Sequence, residues 1–378
     1  MPVQLSDTAI KILEHRYFQR NEKGDVVEDA EELFRRVAHG VSRAELTWGN
    51  AQLANSWEEK FYQVMASLEF LPNSPTLMNA GTPMNQLSAC FVLPVEDSMD
   101  GIFTTLRQAA LIQQSGGGTG FNFSRLRPRN DYVSTTGGRA SGPVSFMKIF
   151  DSATSHIKQG GKRRGANMGI LNVDHPDIME FIAGKKDEGI LSNFNISVGI
   201  TDAFMGALQN NASWNLKHPK KGTIVRSLPA AEIWKQLTEN AWANGDPGLI
   251  FLDTINGSNP TPSLGKIEAT NPCGEVPLLP FEACNLGSVN LVKMIRKTGT
   301  EVSINRDLLA KTIQTAIRFL DNVIEVNNFL VPEIRQMVQG NRKIGLGVMG
   351  WADLLVMSGI PYSSPKAIEL AAELMSFV

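Results

Sequence analysis

The stretch that decides the fold is residues 115–173, SGGGTGFNFSRLRPRNDYVSTTGGRASGPVSFMKIFDSATSHIKQGGKRRGANMGILNV. Within it, the glycine-rich loops SGGGTG, TTGGRASGP and KQGGKRRGANMG alternate with the apolar segments FMKIFDSATSHI and MGILNV. Short strands, loops and helices that alternate in this way through the centre of a chain are typical of an α/β layer or barrel. We therefore expect one large α/β core.

The chain changes character after its first 70 residues. Before that point, apolar residues such as Phe61, Val64 and Leu68 recur every three or four positions, which is typical of helices. After it, segments interrupted by Pro and Gly predict loops and short strands. We expect a small helical region over residues 1–70 and the α/β region over residues 71–378.

Three later segments predict particular elements. Residues 99–114, MDGIFTTLRQAALIQQ, have an acidic residue, Asp100, near their start and repeat apolar residues at helical spacing, so they predict a helix. Residues 306–329 have the clearest amphipathic helical pattern. Residues 343–355, KIGLGVMGWADLL, predict a strand, a turn and a helix.

The composition excludes several classes of protein. The 378 residues carry a net charge of -2, which gives no electrostatic surface for wrapping a nucleic-acid polymer, although binding of a single nucleotide needs only a few local donors. No apolar run reaches the roughly 20 residues of a membrane-spanning helix. The start, MPVQLSDTAIKILEHRYF, lacks the apolar core of a secretion signal. We expect a cytoplasmic protein that does not span a membrane.

The chain has three cysteines, Cys90, Cys273 and Cys284. They are too few and too scattered for a disulfide scaffold, and no CxxC or Cys/His cluster has the spacing of a zinc site, so no metal site is expected. By default, three cysteines in a cytoplasmic protein are small buried apolar residues. The sequence around Cys273 argues against that default.

The densest group of reactive residues is Asn271-Pro-Cys273-Gly-Glu275. Pro272 and Gly274 disfavour a helix, so Cys273 is expected on a tight loop with Asn271 and Glu275 nearby. A thiol, a carboxylate and an amide held together in this way are suited to hydrogen abstraction, proton abstraction and orientation of hydroxyl groups. A cysteine hydrolase is the weaker alternative, because the chain shows no recognisable pairing of this cysteine with a histidine base at position 156, 175 or 218.

Four motifs carry a resemblance to a known family: LPNSPTL (71–77), LSACFVLPVEDS (87–98), TNPCGE (270–275) and EACNLGSVNL (282–291). Together they resemble ribonucleotide reductase catalytic subunits, and most closely the adenosylcobalamin-dependent class II branch. The similarity runs through nearly the whole chain, including GDPGLIFLD, RFLDNVI and RKIGLGVMGWADLL. Separated motifs in the family's order are far more specific than any one of them alone.

The resemblance implies a fold and a set of catalytic residues. The fold would be the N-terminal and central part of a ten-stranded α/β barrel, made of two parallel five-stranded halves, with Cys273 on a finger loop threaded through it. Cys273 matches the cysteine whose thiyl radical removes the ribose 3′-hydrogen. Glu275 matches the carboxylate that takes the 3′-hydroxyl proton, and Asn271 the amide that hydrogen-bonds the ribose hydroxyls. Cys90 and Cys284 match the redox pair that ends as a disulfide.

The resemblance also implies binding residues. Ser74, Ser88, Gly117 and Gly118 match segments that line the substrate site, although turn glycines and ordinary loop serines are nearly as good a reading of each one. A second set matches the specificity site, where a deoxynucleoside triphosphate effector binds at a dimer interface. Its members are Asp97 and Arg127, together with the loop Gly160–Asn167, which includes Lys162, Arg163 and Arg164; without the resemblance, these last three would be read as a solvated basic loop.

Further expectations concern cofactor and partners. A thiyl radical needs a generator, which the class II reading assigns to adenosylcobalamin and the class I alternative to a separate metal-containing subunit. A thioredoxin or glutaredoxin-like reductant and a homodimer are also expected. The resemblance further implies that the second half-barrel is largely missing, so we expect the chain alone to be inactive and to need a complementing C-terminal fragment. The competing hypothesis is a nucleotide-binding fragment that has lost catalysis.

Overall fold

A computed structural model describes residues 3–159, 163–187, 189–299 and 301–378. In this part of the chain the α-helices are α1 (Asp7–Arg16), α2 (Ala30–Ser42), α3 (Glu45–Trp48), α4 (Ala51–Ala66), α5 (Ser74–Asn79), α6 (Met99–Gln114), α7 (Pro143–His156), α8 (Ile178–Ile182), α9 (Asp202–Gln209), α10 (Ala230–Asn244), α11 (Leu252–Gly257), α12 (Arg306–Val326), α13 (Pro332–Asn341), α14 (Trp351–Met357) and α15 (Pro365–Phe377). Short 3₁₀ turns form at Pro262–Leu264 and Leu291–Met294.

The strands are β1 (Phe70–Pro72), β2 (Cys90–Pro94), β3 (Gly118–Asn122), β4 (Tyr132–Val133), β5 (Gly138–Arg139), β6 (Lys158–Gln159), β7 (Arg163–Arg164), β8 (Asn167–Asn172), β9 (Phe194–Ile200), β10 (Ser213–Lys217), β11 (Ile224–Pro229), β12 (Gly248–Phe251), β13 (Ala269–Thr270), β14 (Pro277–Leu278), β15 (Ala283–Asn290), β16 (Ile295–Thr298), β17 (Glu301–Ile304) and β18 (Ile344–Met349). By internal contacts the chain divides into two compact units. The first comprises Met1–Ala89, Cys284–Phe329 and Val338–Val378, and the second comprises Cys90–Ala283 and Leu330–Met337.

The first unit is built around helices. α2 begins with a capping box, in which the Asp29 side chain accepts from the Glu32 backbone N–H and the Glu32 side chain accepts in return. In the core of this unit the ring centroids of Phe61 and Phe319 are 5.1 Å apart, and those of Phe70 and Phe319 are 5.4 Å apart. β15 pairs antiparallel with β1 and parallel with β18. The helices therefore enclose an apolar core that also covers these strands.

The second unit is built on a parallel sheet. Five strands pair in the order β2-β3-β8-β9-β12, and each neighbouring pair is parallel. Fully buried phenylalanines, Phe121, Phe123, Phe150 and Phe194, pack between the sheet and α7. Strands buried on both faces are typical of α/β proteins, because helices cover a parallel sheet on its faces. The predicted α/β fold class, with its N-terminal helices, is confirmed.

The segment predictions are confirmed at α6, α12, β18 and α14, but one is wrong. The stretch after residue 71 was expected to hold loops and short strands, whereas Ser74–Asn79 is a helix. Pro75 lies in its first turn, where a missing N–H is tolerated, and the Asn73 side chain caps it by accepting from the Thr76 N–H. The predicted division between residues 70 and 71 stays a prediction. Among the described residues, no helix is long and apolar enough to cross a membrane.

Candidate active site

Cys273 lies at the tip of a hairpin formed by β13 and β14, which pair antiparallel. Asn271 closes the loop: its carbonyl accepts from the Gly274 N–H at 3.0 Å and its side-chain oxygen accepts from the Val276 N–H at 3.0 Å. Gly274 has a φ of +87°, a conformation that favours glycine. The Cys273 side chain is exposed, whereas Asn271 is buried. The loop is therefore tight and presents the thiol outward. We call residues 269–278 the Cys273 hairpin.

The Cys273 hairpin lies directly against the parallel sheet. A Cβ atom placed on Gly120, in β3, would be 1.7 Å from the Thr270 carbonyl oxygen, so only glycine allows this approach. The Asn195 side chain, in β9, donates to the Pro272 carbonyl at 2.7 Å. At the base of the hairpin, the Asn122 amide donates to the Glu268 carbonyl at 2.8 Å. Side chains from two different strands thus hold the hairpin in place.

Cys90 and the hairpin are in direct contact. The Asn271 side-chain N–H donates to the Cys90 sulfur at 3.3 Å, and Cys90 is buried. Cys90 begins β2 and lies beside Gly118 in the parallel ladder with β3. Gly117 precedes Gly118, and a Cβ there would be 2.6 Å from the Phe91 ring. The structure therefore brings together four of the predicted residues: Asn271, Cys90, Gly117 and Gly118.

Three other predicted residues belong to the first unit. Cys284 is buried in β15, and its thiol donates to the Asn285 carbonyl at 3.2 Å. Ser88 is buried and its hydroxyl oxygen accepts from the Asn327 side chain at 3.0 Å. The Ser74 hydroxyl is 2.8 Å from the Tyr17 hydroxyl. All three cysteines of the chain are thiols. The pairing of Cys90 with Cys284, and the roles of both serines, stay predictions.

Two of the predicted effector residues form an ion pair. The Arg127 guanidinium is 2.8 Å from the Asp97 carboxylate, and the Arg127 backbone N–H donates to the same carboxylate at 3.1 Å. Hydrogen bonding to Asp97 raises the pKa of Arg127. Lys162 lies outside the described residues, and of Arg163 and Arg164 only the backbone is described, as β7. Glu275 is exposed, two residues beyond Cys273.

Sequence reasoning missed a cavity of about 900 Å³ at the carboxyl ends of the parallel strands. Asp97 lines it, as do polar residues within three positions of the ends of β3, β8 and β9, namely Ser124, Asp174, His175 and Thr201. Ligands of open α/β sheets commonly bind at this edge. The signal was present in the sequence as a polar residue after each apolar strand segment.

His175, in the wall of this cavity, is a buried neutral histidine. Its Nε2 lies 2.9 Å from the Leu126 carbonyl and its Nδ1 accepts from the Asp177 N–H at 3.1 Å, an arrangement that needs a proton on Nε2 alone. Burial lowers the pKa of His175 to about 4. Within the described residues, no group of three or more Asp, Glu, His or Cys side chains is arranged to hold a metal ion.

The second unit thus carries an exposed thiol on a hairpin that packs on the face of a parallel α/β sheet. Comparison with family models is more specific. Residues 88–378 match the ribonucleotide reductase barrel domain, and residues 3–85 match the ribonucleotide reductase all-alpha domain. The chain belongs to the ribonucleotide reductase family.

Curated relatives agree with this assignment. The chain is 48% identical to the vitamin B12-dependent ribonucleoside-diphosphate reductase of Thermoplasma acidophilum, over 100% of this chain and 56% of that protein. It is 50% identical to the protein of the same name from Mycobacterium tuberculosis, over 99% of this chain and 53% of that protein. Identity to the ribonucleoside-diphosphate reductase subunit alpha of Chlamydia trachomatis is 30%, over 99% of this chain and 38% of that protein. The chain thus spans about half the length of its more similar relatives.

Proposed function

We propose that this chain is the N-terminal and central part of the catalytic subunit of a vitamin B12-dependent ribonucleoside-diphosphate reductase. It would reduce ribonucleoside diphosphates to 2′-deoxyribonucleotides, the precursors of DNA. One observation carries the proposal: the exposed thiol of Cys273 stands on a hairpin that Asn271 hydrogen-bonds to the buried thiol of Cys90. In this proposal Cys273 meets the radical source and Cys90 supplies electrons. The names of the relatives support the substrate.

The proposed steps assign one task to each residue. The Cys273 thiyl radical removes the 3′-hydrogen, while Glu275 takes the 3′-hydroxyl proton and Asn271 hydrogen-bonds the ribose hydroxyls. The 2′-hydroxyl then leaves as water. Cys90 and Cys284 supply two electrons and two hydrogens, one for that water and one for the 2′ carbon, and become a disulfide. Cys273 returns its hydrogen to the 3′ carbon and Glu275 returns the proton to the 3′ oxygen, which regenerates the thiyl radical and the carboxylate.

The radical source in this proposal is adenosylcobalamin. The chemistry of the site fits such a source, because the thiol of Cys273 is exposed at the hairpin tip. When bound, the cofactor supplies the radical through homolysis of its cobalt–carbon bond. The alternative is a class I large subunit, which receives its radical from a partner subunit. The higher identity to relatives named vitamin B12-dependent, 48% and 50% against 30% for a subunit alpha, favours the cobalamin-dependent reading.

Replacement of the radical cysteine tests the reaction. In the enzyme completed by its C-terminal part, Cys273→Ser is expected to abolish reduction of cytidine diphosphate, while a deoxynucleoside triphosphate still binds. Unchanged turnover would end the radical assignment. Anaerobic addition of adenosylcobalamin should give the cob(II)alamin signal by electron paramagnetic resonance. An active enzyme without that signal would favour the class I alternative.

We also propose that the chain needs a complementing C-terminal fragment. It spans 56% and 53% of two similar relatives. All six residues of β18 are half-buried, although the strand is apolar, which suits an edge that another strand covers. The purified chain with adenosylcobalamin and dithiothreitol is expected to show no reduction of cytidine diphosphate. Turnover by the chain alone would refute this part of the proposal.

The regulatory and partner assignments belong to the same proposal. Asp97 and Arg127, with the loop that contains Lys162, Arg163 and Arg164, would bind a deoxynucleoside triphosphate effector. Exposed apolar residues on two helices, Met99 and Phe103 in α6 and Ile149 in α7, would form a homodimer face. Ser74, Ser88, Gly117 and Gly118 would line the substrate site.

A thioredoxin or glutaredoxin-like protein would reduce the Cys90–Cys284 disulfide, and we propose that this takes place in the cytoplasm. The proposed homodimer face is tested by Phe103→Glu, which is expected to convert the dimer to a monomer in analytical ultracentrifugation.

A further inference from the structure

A buried cluster of uncharged polar side chains lies behind the sheet, on the face opposite the Cys273 hairpin. Its members are Gln113 in α6, Thr119 in β3, Thr154 in α7 and Asn167 in β8, and none is more than 3% exposed. We call them the Asn167 cluster. The reaction proposed above gives Gln113, Thr119 and Thr154 no role. Buried polar groups are costly unless they are hydrogen-bonded, so such a cluster specifies a particular arrangement.

Asn167 is the centre of the cluster. Its side-chain oxygen accepts from Gln113 at 2.7 Å and from the Thr119 hydroxyl at 2.8 Å, and its side-chain nitrogen donates to the Thr154 hydroxyl at 2.9 Å. Gln113 also donates to the Thr119 hydroxyl at 3.1 Å, and Thr154 donates to the Phe150 carbonyl at 2.8 Å. The hydrogen bonds thus fix two helices and two strands relative to one another.

One strand connects this cluster to the Cys273 hairpin. Successive side chains of a strand point to opposite faces of the sheet, so Thr119 and its neighbours Gly118 and Gly120 face different ways. Thr119 points into the Asn167 cluster, whereas Gly120 faces the Thr270 carbonyl of the hairpin at contact distance. Gly118 lies beside Cys90 in the ladder. A displacement of Thr119 therefore displaces the surface on which the hairpin rests.

The cluster also touches the segment that directly follows β7. A Cβ on Gly165 would be 2.8 Å from a Thr154 methyl carbon and 3.2 Å from the Gln113 side-chain oxygen. The Ala166 carbonyl accepts from the Thr119 N–H at 3.2 Å. Residues 165–167 belong to the loop to which the effector is assigned above. The end of this loop therefore contacts the cluster directly.

We propose that the Asn167 cluster is a positioning device that fixes β3 beneath the Cys273 hairpin and makes the hairpin respond to the effector loop. The assignment of a deoxynucleoside triphosphate to that loop rests on the proposed function. The positioning of β3 by the cluster does not depend on that assignment. Gln113, Thr119 and Thr154 are positioning residues, because their side-chain hydrogen bonds go to one another, to Asn167 and to the Phe150 carbonyl.

The first test needs no nucleotide. Thr119→Val keeps the shape of the side chain and removes its hydroxyl, so β3 keeps its backbone ladder with β8 but loses the side-chain hydrogen bonds of Thr119 with Asn167 and Gln113. Amide hydrogen exchange at Gly274 and Val276, both protected by Asn271, is expected to speed up by about fivefold or more. The matched control is Thr105→Val, which removes another buried hydroxyl whose bond goes to the Pro94 carbonyl at 2.7 Å, outside the cluster.

The control separates a positioning role from general loss of stability. Thr105→Val is expected to leave exchange at the hairpin unchanged, even if its melting temperature falls as far as that of Thr119→Val. Equal exchange at Gly274 and Val276 in the two variants would overturn the positioning role. Gln113→Leu, which removes a second bond to Asn167, should reproduce the effect of Thr119→Val.

The second test adds each of the four deoxynucleoside triphosphates at saturating concentration to the 378-residue chain. Binding is expected to change hairpin exchange in the wild type by about fivefold or more, and to have no such effect in Thr119→Val, which still binds the nucleotide by calorimetry. An equal response in both proteins would overturn the coupling. If no nucleotide binds to any of the proteins, the effector assignment and the coupling both fail, and the first test alone decides the positioning role.

Discussion

Two antiparallel hairpins of the second unit are built on different principles. The hairpin formed by β10 and β11 has five register pairs, from Ser213 opposite Pro229 to Lys217 opposite Ile224. Its strands bury Leu216 and Leu228 on one face and expose most of their other residues. The Cys273 hairpin has only two register pairs, Ala269 with Leu278 and Thr270 with Pro277. Its own ladder is therefore the weaker of the two.

The difference shows what determines the position of the reactive thiol. A two-residue ladder is not stable by itself, so the Cys273 hairpin depends on contacts from distant parts of the sequence. These contacts come from Gly120, Asn122 and Asn195, all in the parallel sheet. The β10–β11 hairpin instead carries its own ladder. Substitutions in the sheet should therefore move Cys273 and leave the β10–β11 hairpin in place.

The largest expected effect comes from Gly120→Ala. The new Cβ would lie 1.7 Å from the Thr270 carbonyl, a backbone atom that moves only with the whole hairpin. Overpacking typically costs about 1–3 kcal/mol and occasionally more, and this very short approach to backbone lies at the upper end unless the hairpin is displaced. Hydrogen exchange of residues 269–278 should rise strongly, with little change at residues 213–229. Similar exchange changes in both hairpins would contradict the comparison.

The control for this substitution is Gly206→Ala, in the interior of α9. Apart from the adjacent residues and the backbone of its own helix, no atom lies within 4 Å of a Cβ at that position. Because alanine favours helix over glycine, the variant is expected to be as stable as the wild type or more stable, by up to about 1 kcal/mol in urea unfolding. A loss of stability there would mean that glycine replacement itself, rather than the close approach at Gly120, causes the effect.

The next effect is a dependence of the free energy of unfolding on pH, caused by His175, which follows a residue bonded to the β10–β11 hairpin. Asp174, whose carbonyl accepts from the Lys217 N–H, is followed by His175, and burial lowers the pKa of His175 to about 4 in the folded state. The unfolded chain, with a pKa of about 6.5, binds the proton more readily, so this contribution is present above that pH and is lost as the pH falls toward 4. The loss is about 3 kcal/mol at most.

Urea unfolding at several pH values between 7 and 4 measures this dependence. His175→Gln keeps a donor for the Leu126 carbonyl but does not titrate, so its stability should fall less steeply over this range. The difference between the two profiles isolates His175 from other titrating groups. Parallel profiles would show that His175 is not a neutral buried group.

The sequence predicts the elements better than it predicts how they meet. Helix α6 follows from the spacing of its apolar residues, and the tight loop at Cys273 follows from the flanking Pro272 and Gly274, because these are local effects. Helix α5 does not follow from the pattern, because prolines in this segment favour loops, although proline is tolerated in a first helical turn. The contact of Gly120 with Thr270 has no local signal, since the two residues are far apart in the chain.

A smaller effect is expected from an ion pair at the β10–β11 turn. Hydrogen bonds from His218 and then Lys221 lower the pKa of Asp131 to about 2, so its contribution is present above a pH of about 4 and is lost as the pH falls toward 2. Asp131→Asn at neutral pH should destabilise the chain by at most about 2 kcal/mol, reduced by solvent around the exposed Lys221. Exchange should rise at residues 217–224. An equal rise at the Cys273 hairpin would break the distinction between the two.

The smallest effects are expected from two asparagine substitutions, one at each hairpin. They test the comparison of the two hairpins most directly. Asn195→Ala removes the donor to the Pro272 carbonyl, which costs about 1 kcal/mol and should be felt as faster exchange at Gly274 and Val276. Asn215→Ala removes the acceptor of the Ser227 hydroxyl on the exposed β10–β11 hairpin, where the effect should stay within about 0.5 kcal/mol. Asn215→Ala could instead speed up exchange in the β10–β11 hairpin as much as Asn195→Ala does in the Cys273 hairpin. The longer ladder would then not make its hairpin less dependent on side-chain contacts.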